Sequence, residues 1–92
     1  MSGEEHLACA VDISAYTYLV AGGKIPADSA QAGQAAIALG WQSNAYAVPL
    51  KADPAAKINA ARVALLAKDK PDAIAGRAAA CIAVAVAKGE VR

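Results

Sequence analysis

The sequence predicts an all-α fold: a compact bundle of about four short helices in one small helical domain covering 1–92. Three observations predict it. Alanine supplies 27 of the 92 residues and phenylalanine none, and alanine is the strongest helix former while adding only one methyl to a core. Proline and glycine punctuate the chain. Each Pro falls where a first helical turn tolerates it, and Gly22 and Gly89 fall where helix C-termini favour glycine. Between these marks, apolar residues recur three and four apart, the spacing of one helix face. The expected helices are roughly 3–21, 28–42, 54–68 and 71–88.

The first helix opens on Ser2 with Glu5 three residues later, the pattern of a capping box. Leu7, Val11, Ala15 and Tyr18 form one apolar stripe, and Cys9, Ile13, Tyr16 and Val20 form another. A helix apolar on two faces needs packing partners on both. The run Tyr16-Thr17-Tyr18-Leu19-Val20 is β-prone, so the last turns could instead be extended.

The second helix has the weakest signal. Asp28 or Ser29 can cap it, and Ala30, Gly33, Ile37 and Trp41 share a face. Gly33 and Gly40 each cost about 1 kcal/mol against alanine. The third opens on Asp53-Pro54. It turns Ile58, Ala61 and Leu65 inward, with Val63 and Leu66 flanking, and leaves Lys57, Arg62 and Lys68 for water.

The fourth repeats Ala75, Ala79, Ala83 and Ala87 at every fourth position, with Gly76 and Ala80 beside them and Ile74, Ile82, Val84 and Val86 supplying bulk around that seam. Small residues at this spacing allow two helix backbones to approach closely, so this reads as the central helix. Residues 81–86 also alternate with period two and could form a buried strand. The alanine run before them favours helix.

Composition excludes several function classes. Net charge is +1, with basic and acidic residues interspersed. There is no basic block for nucleic acid or an anionic membrane surface. No apolar run reaches the ~20 residues of a membrane span. Met1 to His6 lacks the basic start and apolar centre of a signal peptide. The expected location is therefore cytoplasmic, or within a larger assembly.

Candidate chemistry is sparse. His6, the sole histidine, lies in an acidic first turn and reads as a surface residue. Cys9 and Cys81 have neither disulfide-framework nor metal spacing and read as buried structural thiols. Packing between the first and last helices could bring them into contact. Most carboxylates lie at helix ends, where caps and dipoles favour them. Asp12 is the exception. A carboxylate inside a helix, between two apolar stripes, needs a partner or has a shifted pKa; the plainer reading is a rim residue paired with a lysine. Gly22-Gly23-Lys24 lacks phosphate-loop spacing. The expectation is no catalytic residue, no cofactor and no metal.

Residues 34–46 resemble the first helix and turn of a helix-turn-helix. Ala36 and Gly40 have the small-residue spacing, and Ala35, Leu39, Trp41 and Tyr46 occupy the apolar positions. A DNA-binding regulator using residues 34–50 is therefore one reading. Pro49 falls inside its would-be recognition helix, and no Lys or Arg precedes Lys51. The other reading is an interaction subunit that packs against copies of itself or another protein. Its expected interface comprises Trp41, Tyr46, Ala75, Ala79, Ala83, Val86, Ile13 and Tyr16. A small accessory subunit of an enzyme complex, using Asp12, His6 or a cysteine, is the third.

Overall fold

Four α-helices form, in the order expected: α1 (Gly3–Ala21), α2 (Ser29–Leu50), α3 (Ala55–Lys68) and α4 (Pro71–Ala87). This computed structural model describes residues 2–26, 29–51 and 53–88, with the side chains at 29, 30 and 32 also outside the description. The caps expected at Asp28, Ser29 and Gly89, and the inward place expected for Ala30, lie outside it. No strand occurs among the described residues, so 16–20 and 81–86 are both helical. The Cα radius of gyration is 12.2 Å, close to the ~12 Å expected of a compact chain this long.

The end signals work as chemistry predicts. Ser2 Oγ accepts from the Glu5 amide at 3.2 Å, and the Ser2 amide donates to Glu5 Oε1 at 3.0 Å, completing the capping box. These bonds hold the Glu5 carboxyl below its usual range. At the other end, the Lys24 amide bonds Leu19 O and the Gly23 amide bonds Val20 O. Gly23 takes φ 72°, the left-handed position such a cap requires and glycine adopts freely. Asp53 Oδ1 accepts from the Ala55 amide at 2.9 Å and so serves the start of α3. Pro71 begins α4, with Asp72 in its first turn.

α2 departs most from expectation. It continues eight residues beyond 42 and takes Pro49 into its last turn. The sequence ends this helix near 42, with Asn44 to Pro49 closing the segment, but Ala45, Tyr46 and Ala47 are compatible with helix, and Tyr46 is buried. A proline this close to a C-terminus interrupts only the final turn. The helix stops at Lys51, whose φ of 52° turns the chain out. The turn that a helix-turn-helix would need within 34–50 is replaced by one continuous helix.

The central helix is α1, in place of α4. It packs against each of the other three helices, and its residues from Cys9 to Tyr16 are all buried. Its two apolar faces have partners inside the chain. α2 and α4 close over Ile13, Ala15, Tyr16 and Leu19 to form the main core with Ala35, Ala38, Ile74, Ala78, Ile82 and Ala85. On the other side, Ala10 and Val11 meet Ile58 of α3. Tyr18, expected inside, is 61% exposed.

Two helices turn a different face inward from the one expected. Among the described side chains of α2 the buried ones are Ala35, Ala38, Gln42, Tyr46 and Ala47, and Ile37 stands half exposed. The alanines allow the close approach that the bulk of Ile37 would prevent. On α4 they are Ile74, Ala78, Cys81, Ile82 and Ala85, so two of the bulky residues expected at the seam are inside and the alanine row is not. Burying Ile74 and Ile82 gains more than burying alanine methyls. The Ala75–Ala79–Ala83 row therefore runs along the edge, half-buried at 75 and 79 and exposed at 83. A Cβ on Gly76 would meet no described residue within 4 Å, so Gly76 serves no close approach among the described residues.

α3 is held more lightly. Ile58 is its one buried residue. Half-buried Leu65 and Leu66 pack against the cores, and polar contacts add to them. Arg62 Nη1 donates to Ser14 Oγ at 3.0 Å and its guanidinium lies 5.4 Å from the Tyr18 ring centre. Lys57 Nζ donates to Tyr46 Oη at 3.0 Å. Both cations had been expected to face only water.

Candidate functional site

The surface carries three arrangements that could support function. The first is the outer face of α2 and α4. From residue 29 to 50, α2 has no charged side chain, and α4 has none from 78 to 87. Between these helices runs a groove of about 370 Å³ lined by Gln31, Gln34, Ala79, Ile82, Ala83, Val86 and Ala87. One helical turn from Gln34, Ile37 is 50% exposed, and Val86 is 40% exposed. Depletion of charge around apolar groups is a feature of the core of protein interfaces.

The expected interface residues divide between this face and the interior. Ala79, Ala83 and Val86 border the groove, and half-buried Ala75 packs against the main core. Ile13 and Tyr16 are covered by the chain's own helices, at 0% and 2% exposure, so the partner expected for that side of α1 is intramolecular. Tyr46 is likewise inside, plugging the α2–α3 junction. Half-buried Trp41 sits edge-on to His6, ring centres 5.3 Å apart and planes at 88°. Ile37 was expected in the core, and its exposure is the feature of this face that sequence reasoning missed.

The second arrangement joins His6, Gln42 and the cysteines. Gln42 is completely buried. Its Nε2 donates to the Cys81 carbonyl at 3.3 Å, so its Oε1 faces His6 Nδ1 at 2.6 Å. Since Oε1 only accepts, Nδ1 must carry a proton. His6 is thus a half-buried tie between α1 and α2, where a surface residue was expected. One residue pair deeper, Cys9 and Cys81 form a disulfide across α1 and α4, Cα atoms 5.4 Å apart. The expectation of two free thiols is corrected. Neither spacing nor motif announces a bond between residues 72 apart in sequence; only the packing of the first and last helices creates it.

The third is built around Asp12. Its Oδ1 accepts from Arg77 Nε at 3.1 Å, while Arg77 Nη2 reaches Asp69 Oδ2 at 2.7 Å. Asp12 and Arg77 are the two charges that interrupt the apolar patterns of α1 and α4, and the fold brings them together. The expected partner was a lysine. Burial pushes the Asp12 carboxyl above its usual range, and Arg77 opposes this without cancelling it. Asp12 in turn raises the Arg77 guanidinium.

The sign of this shift fixes a pH effect. With its folded pKa above the unfolded one, Asp12 binds its proton more tightly in the native state, so its ionisation lowers stability as pH rises through that window. Asp12→Asn is therefore expected to gain stability relative to the parent between acidic and neutral pH, read by urea denaturation at several pH values. A difference that does not change with pH would refute the assignment.

No family model matches this chain, and comparisons with curated proteins and with solved structures likewise find no match.

Proposed function

We propose that this protein is a non-enzymatic interaction subunit that associates with copies of itself through the α2–α4 face. The observation that carries this reading is the absence of charged side chains from 29–50 of α2 and 78–87 of α4, with Ala83 and Val86 exposed at the groove and Ile37 exposed one turn beyond Gln34. In a two-fold interface the same patch meets itself, so any charge near the axis would face its own copy. A face without charge avoids that repulsion, and its alanines let a second pair of helices approach closely. The polar groups at His6, Gln42 and Arg77 support the reading in another way. They bond within the chain and brace the helices that present the face.

The Cys9–Cys81 disulfide adds to this reading a place in an oxidising compartment, where such bonds persist. That differs from the cytoplasmic location the composition suggested. Among the described residues no helix is long and apolar enough to cross a membrane.

Light scattering over a wide dilution series tests the proposal. A defined mass above the monomer is expected, falling as the protein is diluted. Ile37→Lys and Ala83→Arg each place like charges against each other across the two-fold, a juxtaposition that costs several kcal/mol. Both variants should be monomers with parental helicity by circular dichroism. A parent that is monomeric at every concentration overturns the proposal, as does an assembly that neither substitution weakens.

A further inference from the structure

α3 packs on α1 and leaves α4 apart, so an open cleft remains over the N-terminal half of α1. The cleft has a volume of about 420 Å³, within the range of small-molecule sites. Its floor is Leu7, Ala8 and Val11, and its α3 wall is Ala61, Ala64 and Leu65. At one end the apolar lining gives way to the Asp12–Arg77 pair.

We infer that this cleft binds a small aliphatic amine, its hydrocarbon chain along Leu7, Val11 and Leu65 and its ammonium on Asp12. Two observations of geometry support an ammonium. Asp12 is 9% exposed, and only its Oδ1 takes a hydrogen bond from a described residue, which leaves Oδ2 as an acceptor at the end of an apolar cleft. Arg77 cannot serve as an anion site of equal quality, because two carboxylates already occupy it.

The charges facing Asp12 agree. Glu4 of α1 and Lys68 of α3 line the cleft with Arg77 of α4, and Asp69 lies beyond Arg77 in the turn before α4. Lys57 of α3 attracts Glu4, and Arg77 is shared with Asp69, so the cation bonded to Asp12 is a shared one. The burial that raises the Asp12 carboxyl shows that Arg77 leaves its charge partly uncompensated. Binding should therefore weaken as pH falls and Asp12 takes up its proton.

The test is an NMR titration of the full disulfide-bonded chain with n-hexylammonium, and with hexanoate and 1-hexanol at matched ionic strength. The expected result is saturable shifts at Leu7, Val11, Ala61 and Leu65 with the amine, and affinity weaker by about tenfold or more in Asp12→Asn. Ala64→Phe fills the cleft from one exposed α3 position and leaves Asp12 unchanged, and should lose binding while keeping the parental melting temperature. It also keeps the proposal testable should Asp12→Asn fold poorly. Equal binding of hexanoate or 1-hexanol, no saturable binding, or retention of binding in Ala64→Phe would overturn the inference. The cleft shares no residue with the α2–α4 groove, so the mass of the parent protein tests self-association separately.

Discussion

Replacing both cysteines, as Cys9→Ala with Cys81→Ala, is expected to cost about 4 kcal/mol of stability. The bond joins residues 72 apart in sequence, close to the two ends of the chain. Closing a loop that long removes about 4 kcal/mol of conformational freedom from the unfolded ensemble in the chain-entropy account. For a domain of this size that corresponds to a fall in melting temperature on the order of 20 °C. The native helices should survive at room temperature, because the core around the sulfurs keeps Ile13, Ile74, Ala78 and Ala85, each at 0% exposure in the parent. Thermal denaturation of the double variant beside the oxidised parent gives the number. Reductant added to the parent should reproduce most of the shift. A variant that melts within a few degrees of the parent would mean that α1 and α4 are held by packing alone.

The size of that effect shows what a linear reading of this chain could reach. Helix number, helix type and most boundaries were legible because caps and alanine content act locally: Ser2 with Glu5, Asp53 before Pro54, Pro71 at a first turn. The Asp12–Arg77 pair was half legible. Each residue announced itself as a charge in an apolar pattern, but spacing within one helix says nothing of a partner 65 residues away. Inner faces were misread where alanine stripes compete with larger residues, as on α4, and where bulk was preferred, as at Ile37. In an alanine-rich helix several faces are nearly equal in hydrophobicity, so the choice is made by which neighbour can approach. That choice placed Ile37 outside, placed Ile13 and Tyr16 inside and made α1 the centre. Pro49 shows the same limit. A strong local signal was outweighed by burial of Tyr46 one turn earlier.

The second large effect is expected at Ile13, and it follows from the same alanine content. Ile13 is wholly buried on the central helix, in the core that includes Ala15, Ala35, Ala38, Ala78 and Ala85, each at 0% exposure. Truncating a buried isoleucine to alanine removes apolar burial and leaves a cavity, together worth about 2–5 kcal/mol. The position within that range depends on how far neighbours can move into the gap. An alanine has no rotamer to swing, and the backbones here are already close, so little collapse is available except by shifting whole helices. The Cys9–Cys81 bond and the Gln42 tie resist such shifts of α2 and α4 toward α1. Ile13→Ala should therefore fall in the upper half of the range, about 4 kcal/mol by urea denaturation. Val63→Ala, on the 64% exposed side of α3, should stay within about 0.5 kcal/mol and control for helix propensity. A loss at Ile13 below about 1 kcal/mol would mean that the helices close over the gap. The α2–α4 face would then lack the rigid backing that its proposed use as a self-complementary surface requires.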